Sequence, residues 1–152
     1  QIKSEIKWPN DIYINSKKAG GILIETIKKN KTNIVVVGIG LNVFMKGNLE
    51  IDREWTSLIL ENENMTFNRN KIIPDIANEL IINKKIFEEK GFRFFKDQFN
   101  NLNFLKNKQI RLSNIKNENA EALEVNDDGS LNVRIQNEIT KIVSGEVSIN
   151  IN

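Results

Sequence analysis

Residues 7–11 read Lys-Trp-Pro-Asn-Asp and place a cation, an amide and a carboxylate within one short stretch. Pro9 fixes its own φ and favours an extended Trp8, so Lys7, Asn10 and Asp11 are held in a defined cluster just before a predicted strand. This cluster is a candidate binding site. The same residue types also make an ordinary polar turn that leads into a strand.

A second candidate is Lys18, which lies just ahead of Gly20 and Gly21 on a predicted strand. Glycines inside a strand lack Cβ atoms and let a ligand or another backbone come close. Lys18 could then reach a phosphate as a point charge. The alternative is a solvated lysine on a hairpin.

Two later stretches are candidate binding sites for similar reasons. Gly38 and Gly40 lie near the end of a predicted strand and are followed by Asn42, whose amide can donate and accept. The pattern lacks the third glycine and following helix of a dinucleotide fingerprint, and the glycines could merely relieve packing. Trp55 lies in a polar stretch, where its ring could stack on a purine or cover the edge of the core.

The chain contains no Cys and no His. This composition excludes the usual zinc sites, cysteine nucleophiles and every triad with an imidazole base. Catalysis would have to rely on Lys, Asp or Glu, backbone amides or a hard cation.

The 152 residues are 39% hydrophobic and 28% charged, which is typical of a globular protein with one good core. The net charge of +2 is spread along the chain and gives little support for a nucleic-acid face. No apolar run approaches the roughly 20 residues of a membrane span, so we expect a soluble, cytoplasmic protein. Because the chain opens with Gln1 and has Met only at positions 45 and 65, we also expect it to be a fragment.

The elements that must position these residues follow from hydrophobic periodicity. Residues 12–14 and 20–27 predict a hairpin, and the β-branched run near 34–43 predicts a strand covered on both faces. Residues 70–89 predict an amphipathic helix that ends at Gly91. Residues 92–99 predict a second short helical stretch with Phe95 and Phe99 on one face, in the core.

From residue 108 onward, short apolar alternations predict four or five strands in about forty residues, with a tight turn at Asp127-Asp128-Gly129. Strands this short and close favour a small barrel. The predicted fold is therefore α+β, with a mixed or antiparallel sheet and helices in residues 1–104 and a small β-barrel in residues 105–152.

Taken in order, these segments resemble the C-terminal part of a bacterial biotin protein ligase. The resemblance is carried by four motifs: residues 7–11; Lys18-x-x-Gly-Ile-Leu-x-Glu at 18–25; Gly-Ile-Gly-Leu-Asn-Val at 38–43; and Gly-Glu-Val at 145–147. It implies a partial class II synthetase-like catalytic domain followed by an SH3-like barrel.

The resemblance implies a two-step reaction. Biotin and ATP give biotinyl-5′-adenylate and pyrophosphate, and biotin is then transferred to one lysine of a biotin carboxyl carrier protein. ATP and biotin are thus substrates, and Mg²⁺ accompanies the nucleotide. A homodimer is among the implied assemblies. DNA would be a partner only with an N-terminal helix-turn-helix domain upstream.

The resemblance also implies roles for individual residues. Lys18 resembles the lysine that contacts the biotin carboxyl and the adenylate phosphate and is the implied catalytic group. Gly21, Leu23 and Gly40 resemble the wall against the biotin rings. The implied ATP and adenylate contacts are Lys7, Asn10, Asp11, Asn42 and Trp55, with Asp11 also the Mg²⁺ ligand.

Some family features differ here. The glycine- and arginine-rich loop that covers biotin in this family should lie upstream of Gln1, so we expect this chain alone to be inactive. The strands should either expose an apolar face or pair with an upstream segment. Leu123 replaces a glycine usual before the Asp-Gly turn. Two alternatives to a ligase stay open: a biotin-sensing repressor that acts as an adenylate-bound dimer, and a lipoate ligase relative, which the motifs fit poorly.

Overall fold

The computed structural model describes residues 2–47, 54–112, 118–143 and 149–151. The chain divides into two compact units, Gln1–Ile72 and Ile73–Asn152. The division falls within one long helix. The domain boundary predicted between residues 104 and 105 stays a prediction.

The first unit is built on a four-stranded antiparallel sheet in the order β1-β2-β3-β4. Its strands are β1 (Ser4–Lys7), β2 (Asp11–Ile14), β3 (Lys17–Lys29) and β4 (Thr32–Leu41). Asn15 and Ser16 connect β2 to β3 with φ values of 49° and 64°. Two successive left-handed residues make the turn that matches the twist of a hairpin, so the predicted hairpin is confirmed.

The outer halves of β3 and β4 are exposed. The predicted strand near residues 34–43 forms, but the prediction that both of its faces are covered is wrong for the described residues. Ile24 is 63% exposed and Val35 58% exposed. β-branched residues favour a strand with apolar cover, but they do not determine which segment supplies that cover. An exposed apolar face, one of the two alternatives that the resemblance implied, is present in the described residues.

Two helices follow in the chain. The short helix α1 spans Leu58–Glu61, and the long helix α2 spans Arg69–Lys90. The Asn68 side chain accepts a hydrogen bond from the Asn70 N–H at 2.9 Å, so α2 begins one residue before the predicted start. Pro74 lies inside the helix, in its second turn. No residue of α2 is buried, and Leu80 and Phe87 are 43% and 52% exposed.

The second helical stretch differs in detail from the prediction. A 3₁₀ turn at Phe92–Phe94 precedes the helix α3 at Lys96–Leu102. Phe95 and Phe99, the two phenylalanines predicted to be core, are not fully buried, and Phe94 is 51% exposed. Phe92, Phe95 and Phe99 are only half-buried, and the rings of Phe92 and Phe99 meet edge to face at 5.8 Å. Helical spacing identifies one face of a helix but does not determine how completely it is covered.

The last part of the chain is a five-stranded antiparallel sheet in the order β8-β7-β6-β5-β9. Its strands are β5 (Gln109–Leu112), β6 (Glu118–Val125), β7 (Leu131–Ile135), β8 (Glu138–Ile142) and β9 (Ile149–Ile151). The fully buried side chains include Ile110, Leu112, Leu131 and Val133, at alternating positions as predicted. The predicted α+β chain with a small all-β end is confirmed. The motif at 145–147 lies outside the described residues.

The predicted tight turn joins β6 to β7. Gly129 adopts a φ of 83°, and the Gly129 N–H donates to the Asn126 carbonyl at 3.0 Å. Lys96 donates to the Asp127 carboxylate at 2.8 Å and lowers its pKa. Among the described residues, no helix is both long and apolar enough to cross a bilayer.

Asn100 fastens α3 to β6 through two hydrogen bonds. Its amide donates to the Val125 carbonyl at 3.1 Å and its oxygen accepts from the Val125 N–H at 2.8 Å, in a site where Asn100 is 8% exposed. Asn100→Ala leaves two buried backbone groups without partners, so we expect the free energy of unfolding to fall by about 2 kcal/mol or more. Urea denaturation measures this, with the exposed Asn101→Ala as control. Equal stability of the two variants would contradict the assignment.

Candidate functional site

The centre of the site is an ion pair between Lys18 and Asp11. The Nζ of Lys18 lies 2.6 Å from the Oδ1 of Asp11, and the side chains are 34% and 18% exposed. Both lie in the first unit, on neighbouring strands. Partial burial strengthens such a pair relative to one in open solvent.

A β-bulge brings these two side chains to the same face of the sheet. Asp11 pairs with Gly21 and Tyr13 pairs with Lys18, with a register shift between Ile12 and Tyr13. Residues two apart on a strand share a face, so Asp11 and Tyr13 point to the same side. The extra residue in β3 gives Lys18 that orientation too. Without the shift, Lys18 would point to the opposite face from Gly21.

Asn10 fixes the start of β2 against β3. Its side-chain amide donates to the Ile22 carbonyl at 2.6 Å, and the Ile22 N–H donates to the Asn10 carbonyl at 2.9 Å. The Asn10 amide N–H is therefore used within the fold. Asn10 also lies at the rim of a cavity.

That cavity has a volume of about 430 Å³ and is open to solvent. Its lining comes from β2, β3 and β4, with one residue that precedes β2: Asn10, Asp11, Lys18, Gly21, Ile22, Leu23, Gly38, Ile39 and Gly40. The volume is in the range of small-molecule sites. Six of the nine predicted site residues, namely Asn10, Asp11, Lys18, Gly21, Leu23 and Gly40, are brought together here.

Gly21 keeps the cavity open between the two charges. A Cβ at this position would lie 3.0 Å from Asp11 Oδ1 and 3.6 Å from Lys18 Nζ. Gly21 pairs with Gly40 across the sheet, so the floor of the cavity is main chain on both strands. A ligand can therefore approach peptide groups directly.

The other three predicted residues do not line this cavity. The Nζ of Lys7 lies 5.8 Å from the centre of the Tyr13 ring. Asn42 is half-buried and donates its side-chain amide to the Thr56 carbonyl at 3.0 Å. Trp55 is half-buried and forms a parallel bridge with Lys18.

The bridge at Trp55 places a further chain segment directly beside the lysine. The Lys18 N–H donates to the Glu54 carbonyl at 3.1 Å, and the Thr56 N–H donates to the Lys18 carbonyl at 2.9 Å. The backbone of Asn42 adds a bond to Ala19, with its N–H donating at 2.8 Å. The backbone of Lys18 is thus bonded to the segment around Trp55, and that of the next residue, Ala19, to Asn42.

Sequence reasoning missed the polar residues that support this segment. Thr56 and Ser57 are 2% and 0% exposed, and the Ser57 hydroxyl donates to the Met45 carbonyl at 2.6 Å. Glu61 accepts hydrogen bonds from Thr56 and from Asn15. A Thr-Ser pair before an apolar run is a known helix-start signal, but no residue type marks Glu61 as a partner of Asn15.

With this geometry in view, the chain can be compared with known proteins. Residues 1–42 match the Biotin/lipoate A/B protein ligase family. The "Bifunctional ligase/repressor BirA" of Escherichia coli (strain K12) is 28% identical over 113 residues, which are 72% of this chain and 35% of that protein. The protein of the same name from Bacillus subtilis (strain 168) is 48% identical over 48 residues, 31% of this chain and 15% of its own.

The fold agrees with that of solved biotin protein ligases. The apo biotin protein ligase from Aquifex aeolicus matches with a TM-score of 0.87 and 26% identity, over 99% of this chain and 66% of that one. A structure of the Aquifex aeolicus ligase in complex with biotin and ATP matches with a TM-score of 0.86, over 99% of this chain and 63% of that one.

The fold therefore has the architecture seen in the biotin protein ligase of Aquifex aeolicus. The resemblance to the bacterial members, predicted from the motifs, is confirmed in sequence and in fold. The chain spans about a third of the length of the Escherichia coli relative.

Proposed function

We propose that this chain carries the ATP-side part of the catalytic site of a biotin protein ligase. The complete protein joins biotin to ATP, releases pyrophosphate, and passes biotin from biotinyl-5′-adenylate to a lysine of a biotin carboxyl carrier protein. One observation carries the proposal most directly. The Lys18–Asp11 pair, with its 2.6 Å separation, borders a cavity whose floor is glycine backbone. Both residues lie within residues 1–42, the part of the chain that matches the ligase family.

Lys18 acts in the first step. A biotin carboxylate oxygen forms a bond to the α-phosphorus of ATP, and the bond from that phosphorus to the pyrophosphate oxygen breaks, with the electron pair leaving on pyrophosphate. Negative charge grows on the phosphoryl oxygens during the attack. A preorganised ammonium group beside them stabilises that charge. Asp11 holds the Lys18 ammonium at the cavity edge before substrate arrives.

Different parts of the cavity would contact the two substrates, biotin and ATP. Gly21, Leu23 and Gly40 form an apolar and main-chain wall that suits the biotin rings. Asn10 and Asp11 lie at the rim with Lys18 and would contact the nucleotide. Lys7, Asn42 and Trp55 would complete the nucleotide side. The bonds that Asn42 and the Trp55 segment make to residues 18 and 19 support this placement.

Asp11 is the residue that would hold Mg²⁺. In the described ranges, no group of three or more carboxylates is close enough to make a metal cage. Mg²⁺ in nucleotide sites takes one or two carboxylates and completes its shell with phosphate oxygens and water, so a single Asp11 suits an ion that enters with ATP. The ion would neutralise phosphate charge.

The relatives favour a second candidate function. Several matched proteins are named as bifunctional ligase and repressor. A protein of that kind would bind operator DNA as an adenylate-bound homodimer through an N-terminal helix-turn-helix domain. On either proposal the protein works in the cytoplasm on the carrier protein.

The test uses the full-length protein with biotin and MgATP. We expect pyrophosphate release that requires both substrates and biotin incorporation into a carrier domain. An enzyme that neither binds the substrates in calorimetry nor releases pyrophosphate would contradict the ligase proposal. Mobility-shift measurements with and without biotinyl-5′-adenylate separate the two candidates, because only a repressor gains DNA affinity with the adenylate.

A further inference from the structure

Glu61 joins two chain segments that flank Lys18. It is the last residue of α1, and it is half-buried. Its Oε1 accepts a hydrogen bond from the Thr56 hydroxyl at 2.5 Å, and its Oε2 accepts one from the Asn15 side-chain amide. Both carboxylate oxygens are therefore used, and each reaches a different part of the first unit.

The two partners lie on either side of the lysine. Asn15 belongs to the left-handed turn that leads into β3, three residues before Lys18. Thr56 donates its N–H to the Lys18 carbonyl, as the residue next to Trp55 in the parallel bridge. One carboxylate thus ties the turn before Lys18 to the segment paired with Lys18.

A hydrogen bond from Asn42 fixes the same segment from its other side. The Asn42 amide donates to the Thr56 carbonyl at 3.0 Å. Thr56 is therefore held through its hydroxyl by Glu61, through its carbonyl by Asn42 and through its N–H by Lys18. The position of Trp55 relative to Lys18 depends on this set of bonds.

Glu61 itself does not line the cavity, and Lys18 already has Asp11 as its ionic partner. We propose that Glu61 is a positioning residue, which sets the affinity for the nucleotide by fixing the Trp55–Thr56 segment against Lys18. The inference rests on the proposed function, in which this segment lies on the ATP side. It predicts a change in KM for ATP and not in KM for biotin, because the wall proposed to contact biotin is formed by β3 and β4.

The experiment measures KM for ATP and for biotin separately in the full-length enzyme, by pyrophosphate release. E61A removes both hydrogen bonds, and we expect KM for ATP to rise about tenfold, near the low end of the cost of losing one base–aromatic stack. KM for biotin should change less than about twofold, within the effect of an ordinary surface substitution. E63A, at an exposed neighbouring carboxylate, is the matched control.

E61Q should restore KM for ATP. Its amide oxygen accepts from Thr56, and the Asn15 amide can turn so that its oxygen accepts from the glutamine nitrogen. If E61A does not fold, T56V carries the test, because it removes one bond at nearly constant volume. A tenfold rise in KM for ATP in T56V would then support the role, and a KM for ATP equal to that of the wild type would overturn it.

Two results would overturn the proposal. One is an E61A enzyme that behaves like E63A, and the other is an equal rise in both KM values, which indicates general loosening of the fold. Either result leaves the ligase function intact. A wild-type enzyme whose pyrophosphate release does not depend on ATP and biotin would instead overturn both proposals together.

Discussion

Replacing Lys18 by Ala should lower the rate of biotinyl-5′-adenylate formation by roughly 10² or more in the full-length protein. The substitution removes the ammonium that lies 2.6 Å from Asp11 and leaves an uncompensated carboxylate beside the proposed phosphate site. The Asp11 carboxylate would then repel the negative charge that develops on the phosphoryl oxygens, where the Lys18 ammonium would have attracted it. Single-turnover formation of the adenylate from biotin and MgATP is the direct measurement.

Lys17→Ala is the matched control for this variant. Lys17 is exposed, precedes Lys18 in the same strand and does not line the cavity. It removes the same charge from the chain while leaving the ion pair in place. An adenylation rate in Lys18→Ala equal to that of Lys17→Ala would remove Lys18 from the mechanism. Unfolding measurements on both variants test whether the fold is preserved.

Alanine substitutions at the adjacent glycines, Gly20 and Gly21, should affect different properties of the protein. A methyl group on Gly20 would overlap the carbonyl oxygen of Gly40, a backbone atom of the neighbouring strand. We expect Gly20→Ala to lower the free energy of unfolding by about 1–3 kcal/mol, because the two strands must move apart. Chemical denaturation checks this, with Gly38→Ala as a stability control, since a Cβ there meets its nearest atom at 3.7 Å.

Gly21→Ala should leave stability nearly unchanged and impair catalysis. Its methyl group would enter the cavity between Asp11 and Lys18, where both neighbours are side-chain ends that can shift. Displacing the ammonium by a fraction of an ångström should reduce adenylate formation on the order of tenfold or more. Destabilisation by Gly21→Ala equal to that by Gly20→Ala would show that both glycines serve strand packing alone.

The motifs were sufficient to predict the core of the candidate site. Lys18, Asp11 and Gly21 lie in one cavity, and the predicted hairpin of residues 12–14 and 20–27 contains Gly21 and begins just after Asp11. The bulge between Ile12 and Tyr13 is not visible in the residue types, although it determines the face on which Lys18 lies. Bulges depend on the pairing of two strands, and a single-strand pattern contains no information on that pairing.

Contacts between distant segments are the other feature that the residue pattern does not predict. The bridge from Trp55 to Lys18 and the bond from Glu61 to Asn15 join residues far apart in the chain. Local periodicity predicts elements and their faces, but not which element lies opposite. The same limit explains why Phe95 and Phe99, predicted to be core, are only half-buried, while the alternation in β5 and β7 correctly predicts buried residues.

The glycine floor of the cavity restricts how substrate preference can change in this protein. At Gly21, on the cavity floor, an added carbon meets the charged pair, and at Gly20, which does not line the cavity, it meets the neighbouring strand. We expect a side chain at either position to reduce stability or adenylate formation. On the proposed function, a change in the preferred carboxylic acid would therefore come more readily from Leu23 and Ile39, which line the same cavity.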